Sequence, residues 1–207
     1  MMKYLFGIAL LFCFSCGNKE DILLPKADRT IVKEVVDLSP IYIFFRVKGK
    51  DTLAEVNRKN SIGTTNWVLN IDKRLPLRLV VPEVIKLQDK KRGDTAHKNE
   101  AAQNYYSYAD SIGKNLAFIP FTNVYYKMGK PKNGIIIYFA KEGTIKLNNE
   151  LVLKNDLKKH INNLEDKSDQ IRFCFDRNSS YGNYVQQKVF VDAILKKNAV
   201  LEEEFIY

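Results

Sequence analysis

Short runs of β-branched and aromatic residues, each closed by turn residues, recur along this chain and restrict it to short strands joined by a few helices. Ile41-Tyr42-Ile43-Phe44-Phe45-Arg46-Val47 ends at Lys48-Gly49-Lys50-Asp51, and Trp67-Val68-Leu69-Asn70-Ile71 is a second such run. Pro82 and Glu83 predict a helix that opens there and runs towards Arg92, because proline suits a first helical position. Gly93 to Asn104, with His97, reads as a loop. Tyr105-Tyr106-Ser107-Tyr108, Ala117-Phe118-Ile119-Pro120-Phe121 and Val124-Tyr125-Tyr126 read as further short strands, with Pro120 at an edge or break.

Lys130-Pro131-Lys132-Asn133-Gly134 is the strongest turn cluster and the best boundary between domains. Beyond it, Ile135 to Phe139 and Thr144 to Leu147 flank Lys141-Glu142-Gly143 as a hairpin. Asn155 or Asp156 is placed to cap a helix in which Leu157, His160, Ile161 and Leu164 share one face, with His160 expected as a partly buried packing residue. Ile171, Phe173 and Phe175 alternate with Arg172, Cys174 and Asp176, the pattern of a half-buried strand. Ser179 or Ser180 then starts a helix with Tyr181, Tyr184, Val185, Val189 and Ile194 inward, and Phe205-Ile206-Tyr207 closes the chain as a strand. The expected fold is therefore α+β, with mixed sheets, a few packed helices and a C-terminal β-β-α-β-α-β unit. The expected divisions are 1–15 as leader, 16–40 as a lipidated tether, 41–130 as an N-terminal α+β domain and 131–207 as a C-terminal one. Trp67 to Asp72 and Ile171 to Asp176 both run, apolar at alternate positions, into an acid and then a base, Asp72-Lys73 and Asp176-Arg177. That suggests a distant repeat, although Pro82 has no counterpart in the last helix.

The first residues set an address. Lys3 precedes the apolar run Leu5 to Phe14, then come Ser15, Cys16 and the polar stretch Gly17-Asn18-Lys19-Glu20-Asp21. An apolar core of roughly ten residues is a secretory leader, too short for the ~20 that span a bilayer. Ser15-Cys16 resembles the lipobox of a bacterial lipoprotein, with Cys13 and Phe14 standing where an aliphatic and a small residue are usual. The resemblance implies lipid on Cys16 and a membrane partner through it; the alternative is an ordinary leader cut nearby, with Cys16 left as a free thiol. Lys19, Glu20 and Asp21 resemble the lysine-acidic tags that carry some lipoproteins to the cell surface, and Gly17 resembles the signal for release to the outer membrane. Periplasmic or inner-membrane anchoring is the other reading. With Cys13 lost in the leader and Cys16 spent on lipid, Cys174 stands alone in the mature chain, so no intrachain disulfide forms, and a lone cysteine in a strand is read as packing. Together with only His97 and His160, it offers no recognisable zinc arrangement, and no cofactor is expected.

The formal net charge of +9 favours anionic partners such as phospholipid headgroups or peptidoglycan carboxylates, while export argues against nucleic acid. The lysines are scattered, as in Lys90-Lys91-Arg92 and Lys158-Lys159, which reads as a solvated surface.

From Gly143 onward the order of features resembles the periplasmic domain of ExbD and TolR, partners of proton-driven envelope motors. The matching residues are Gly143-Thr144-Ile145-Lys146-Leu147-Asn148, the helix around Leu157, and Phe175-Asp176-Arg177 followed by Tyr181-Gly182. This resemblance covers about the last third of the chain. It implies a small domain that dimerises, or that binds peptides or the cell wall, without catalysis. The motor function does not carry over, since Leu5 to Ser15 holds no acidic residue.

A non-enzymatic binding or scaffolding module, recognising an envelope protein or a cell-wall glycan, is the leading expectation. Tyr105, Tyr106, Tyr108, Asp176, Arg177 and Tyr181 are its candidate binding residues, and the bland reading of the tyrosines is strand packing. The rivals are an accessory of an ExbD/TolR-type system and an envelope-polymer hydrolase using Asp72, Asp110 or Asp176. Hydrolysis would need two acids ~5–10 Å apart, one with a raised pKa. There is no glycine-rich phosphate loop, serine elbow or His-Glu metal helix.

Overall fold

The computed structural model describes residues 21–93, 99–163, 171–195 and 203–207, and these described residues form an α+β fold of two mixed six-stranded sheets and three helices. The first sheet holds β1 (Lys26–Ala27), β2 (Leu38–Lys48), β3 (Asp51–Asn57), β4 (Asn66–Ile71), β5 (Asn104–Asp110) and β6 (Asn115–Pro120). Its order is β1-β5-β4-β2-β3, with β6 on β5. β2 and β3 form a hairpin turning at Gly49-Lys50, where Gly49 supplies the positive φ of 63° that a two-residue turn requires. β4 lies parallel to β2, and β5 parallel to β4, so the link between β4 and β5 has to be a crossover. Helix α1 (Leu77–Gly93) makes it.

The second sheet holds β7 (Tyr125–Met128), β8 (Ile135–Phe139), β9 (Ile145–Leu147), β10 (Glu150–Val152), β11 (Ile171–Phe175) and β12 (Glu203–Ile206), in the order β10-β9-β8-β11-β12-β7. Helix α2 (Lys154–Asn162) precedes β11, and α3 (Tyr181–Ile194) crosses over to β12, parallel to β11. The turn at Lys130–Gly134 thus links two strands of one sheet, and β7, placed by sequence with the first half, belongs to the second. One buried cluster runs through both sheets, from Ile41, Ile43 and Leu69 to Phe173, Phe175 and Ile206, with α1 and α3 contributing Val80, Val84, Tyr184 and Val185.

The two halves repeat about a pseudo-twofold axis. In each, a hairpin, a parallel strand, an acidic corner and a crossover helix follow one another, β2-β3-β4-α1 against β8-β9-β11-α3. The corners pair reciprocally: Leu77 N–H donates to Ser179 O and Tyr181 N–H to Leu75 O, while Arg78 N–H donates to Arg177 O and Gly182 N–H to Lys73 O. Pro76 and Ser180 face each other on the axis. Each helix therefore has its first two N–H groups satisfied by the corner of the other repeat. Asp72 and Asp176 match as well: each donates its N–H to the neighbouring strand, at Ile43 O and Phe139 O, and each carboxylate accepts from the N–H two residues on, Arg74 and Asn178.

Several expectations are corrected. Pro82 lies inside α1, which starts at Leu77, because the buried stripe Leu77, Val80, Val81, Val84 and Leu87 spans the proline and the other corner caps the helix. α2 starts at Lys154 with Leu153 as an N-cap that has no side-chain bond. Asp156 lies in its first turn, and Leu157 and Ile161 alone carry its buried stripe. His160 is exposed, since the stripe at four-residue spacing leaves it on the solvent side. Leu164 and His97 lie outside the described residues. β11 is not half-buried: it sits between β8 and β12, and Cys174 on its second face is as buried as Phe173 and Phe175.

The stretch from Ile22 to Pro40 is a docked strap, not a tether. Leu23 donates to Asp72 Oδ2 at 3.3 Å and accepts from Lys73 N–H at 2.8 Å. β1 then pairs with β5, Tyr108 Oη donates to Arg29 O at 2.7 Å and accepts from Ile31 N–H at 3.0 Å, and Val32 bridges Phe118. The strap also reaches the second repeat, where Gln186 donates to Lys26 O and Arg29 pairs with Asp192 of α3. Cys16, Lys19 and Glu20 lie outside the described residues; Asp21 is exposed at their edge.

Candidate functional site

Of the six candidate binding residues, three belong to the interior. Tyr106, Tyr108 and Tyr181 are buried because β5 is flanked on both edges and its inward face meets α3. Tyr106 stacks on Phe121 at 3.8 Å, and its hydroxyl opens a buried chain: Tyr106 to Tyr126 at 2.7 Å, Tyr126 to Tyr184 at 3.2 Å, and Tyr184 donating to Glu204 at 2.7 Å. Lys188, itself buried, completes it with an ion pair to Glu204, which is wholly out of solvent. Burial pushes the hydroxyls of Tyr106, Tyr126, Tyr181 and Tyr184 well above the usual tyrosine range, so they stay protonated. Tyr105 is half-buried, edge-on to Phe118, on the face of the sheet turned away from the core. Asp176 is half-buried and Arg177 exposed, both at the second corner.

The carboxylates proposed for acid–base work are held as structural acceptors. At Asp72, burial acts to raise the pKa, but hydrogen bonds from the Arg74 side chain and from the N–H groups of Arg74 and Leu23, with the Arg74 charge, outweigh it and hold the carboxyl below its usual range. Asp110 accepts from Thr30 Oγ1 and from the N–H groups of Gly113 and Ile112, which lower its pKa too. Asp176 accepts from Asn178 N–H at 2.7 Å. Neither Asp72 nor Asp110 is the raised-pKa acid that paired-carboxylate hydrolysis needs. Cys174 is no nucleophile: burial pushes its thiol up to about 12.

The recess with the most varied chemistry opens at the far end of α1, about 290 Å³ in volume, where the helix meets the loop between β6 and β7. Gln88 pins that loop through the carbonyls of Phe121 and Val124, and Thr122 Oγ1 accepts from Asn104 N–H. Lys91 lies in the wall over the Trp67 ring, its ammonium donating to Thr65 O, Gln103 O and Asn104 Oδ1 at 2.9, 3.2 and 3.0 Å. Burial pulls its pKa down to about 8. With three acceptors its donors are spent, so it supplies charge rather than contacts. Arg92 differs. Nη2 donates to Thr122 O and Val124 O, and Cζ lies 4.2 Å from the Tyr125 centroid, so among the described residues the other N–H groups of the guanidinium have no acceptor. Tyr125 is 49% exposed, and Asn99 and Asn123 add amides to the rim.

A second recess, about 250 Å³, lies between the β8–β9 turn and α3, where Lys154 covers Phe190 at 4.6 Å. Sequence reading missed the first recess because Lys90-Lys91-Arg92 looks like any solvated helix end; only the approach of Trp67 and Tyr125 from two other strands distinguishes it. Among the described residues no cluster of His, Cys, Asp and Glu could hold a metal, and no helix is long and apolar enough to cross a membrane. No family model matches the chain, and neither a curated protein nor a solved structure is significantly similar to it.

Proposed function

We propose that this chain is a membrane-tethered lipoprotein, lipidated on Cys16 at the outer membrane, that acts as a non-enzymatic binding module at the cell envelope. The observation that carries the binding role is the recess at the end of α1, where Arg92, with N–H groups that meet no acceptor among the described residues, stacks on a half-exposed tyrosine beside two amides and Glu100. An aromatic ring, amides and a guanidinium fork suit the hydroxyls and carboxylates of an acidic cell-wall glycan. Tyr105 and Asp21 are not among the residues that line this site. The domain faces either the cell surface, as the tag Lys19-Glu20-Asp21 suggests, or the periplasm.

Co-sedimentation with isolated peptidoglycan tests the ligand. Wild-type protein is expected to pellet, with Arg92→Gln weakening binding about tenfold through loss of a charge-assisted contact and Tyr125→Ala weakening it by a similar factor through loss of the ring that holds the guanidinium. Equal pelleting of all three proteins, or none by wild type, refutes the site. The address is tested separately by labelling cells with a clickable fatty acid: label and membrane association should both be lost in Cys16→Ser.

A second reading, an accessory of an ExbD/TolR-type system, is favoured by the paired corners. The sequence resemblance implies a domain that dimerises, and two repeats locked about a pseudo-twofold axis are what a fused pair of such domains would be. Cross-linking in intact cells should then recover motor subunits with this chain; their absence argues for the free-standing module.

A further inference from the structure

We infer that the paired corners form a basic platform that lies on anionic lipid headgroups, holding the α1 recess away from the membrane. The inference rests on the lipid-anchor reading for the nearness of a membrane. Cys16 and Leu23 are seven positions apart, at most about 25 Å of extended chain. Leu23 is clamped between Asp72 and Lys73, at the first corner, so the corner cannot move far from a lipid on Cys16.

The corner has the chemistry for that place. In the ladder of residues 75–77 against 179–181, Leu75, Leu77, Ser179 and Tyr181 turn into the core. Alternation then sends Arg74, Pro76 and Arg78 outward, and both arginines are exposed. Arg177 and Lys26 are exposed beside them, Lys73 is half-exposed, and Leu23 presents 43% of its surface. Asp72 neutralises Arg74, while Asp176, Asp21 and Asp28 keep their charges beside Lys26, Lys73, Arg78 and Arg177, so the corner carries a small positive excess. Each cation near an anionic surface adds about fivefold in affinity, and a lipid on Cys16 would hold this corner at such a surface. α1 has 17 residues and so runs about 26 Å from this corner to the recess.

The test is vesicle flotation of the unlipidated chain from Gly17 onward, which keeps every described residue. Wild type should float with phosphatidylethanolamine vesicles containing phosphatidylglycerol, not with phosphatidylcholine alone, and added salt should release it. Lys26→Gln, Arg78→Gln and Arg177→Gln together should weaken binding roughly a hundredfold. The charge-preserving pair Arg78→Lys and Arg177→Lys should bind like wild type, which separates lost charge from lost folding. Lys158→Gln with Lys159→Gln, on the exposed side of α2, should change nothing. Failure of wild type to float, or equal loss in the α2 variant, overturns the platform. Neither result touches the fatty-acid label on Cys16, so a labelled Cys16 with no flotation leaves the lipoprotein reading standing alone.

Discussion

Lys91 and Asp72 are both partly or wholly withdrawn from water, yet their surroundings move them in different ways. Asp72 has its carboxylate oxygens filled by Arg74 and Leu23, and its charge is kept. Lys91 meets only dipoles, and burial brings its pKa down to about 8, below the ordinary lysine value of about 10.4. Below the folded value both states carry the proton; between there and the unfolded value the unfolded chain holds more protons. Stability should therefore rise with pH across about 8 to 10, a rise that Lys91→Met should lack. The carbon resonance next to the Lys91 ammonium should titrate near 8; a midpoint near 10 would mean that Thr65 O, Gln103 O and Asn104 Oδ1 outweigh burial. Nothing in Lys90-Lys91-Arg92 as a string marks the middle residue, because its ring and its acceptors come from β4, β5 and the turn before β4.

Among the contacts that join α3 to its surroundings, two differ in kind. At its start, Gly182 approaches the first corner so closely that an added Cβ would lie 3.2 Å from Lys73 Cβ and 3.3 Å from Lys73 O. Gly→Ala in a helix ordinarily gains about 1 kcal/mol. Gly182→Ala should show no gain and a loss of up to about 1 kcal/mol in urea unfolding, whereas Gly93→Ala, with open space around it, should not lose stability. Deeper in the helix, Lys188 pairs with Glu204 of β12. Lys188→Met alone strands a buried carboxylate and should cost about 3–5 kcal/mol. Adding Glu204→Gln, which still accepts from Tyr184, should recover most of it; a double variant as unstable as the single one would place the cost in packing around Lys188.

These same elements mark how far the sequence can be read. The hairpins, the buried face of α3 and its Ser180 cap are legible because turn residues, period and cap lie next to one another in the chain. The start of α1 is not, since its cap comes from Arg177 and Ser179, about a hundred positions away, and Pro82 is the louder local signal. The strap from Ile22 to Pro40 has no clear period because it pairs only briefly with each partner it passes. That Tyr106, Tyr108 and Tyr181 are buried was not legible for a related reason: an aromatic run reads alike as surface or core until the covering element is known.

At the scale of the whole molecule, the buried tyrosines tie the repeats together. Tyr106 comes from β5 of the first sheet, Tyr126 from β7 of the second, and Tyr181 and Tyr184 from α3, all protonated in the fold. An unfolded tyrosine ionises near pH 10, so above that pH the unfolded chain holds fewer protons than the folded one, and stability falls as pH rises. Each of the four should contribute about 1.4 kcal/mol per pH unit beyond 10, enough in sum to unfold a domain of ordinary stability before about pH 12. Because Tyr106, Tyr126 and Tyr184 share one chain of hydroxyls, their phenolate absorbance should appear in a single step, together with the loss of helical circular dichroism. Gradual ionisation in a still-folded protein would mean that water reaches these hydroxyls and that the repeats are held by the corners alone. Tyr106→Phe and Tyr184→Phe, each deleting one titrating group from that step, should move the alkaline midpoint upward relative to their stability at neutral pH, whereas Tyr42→Phe, outside the buried chain, should leave it in place.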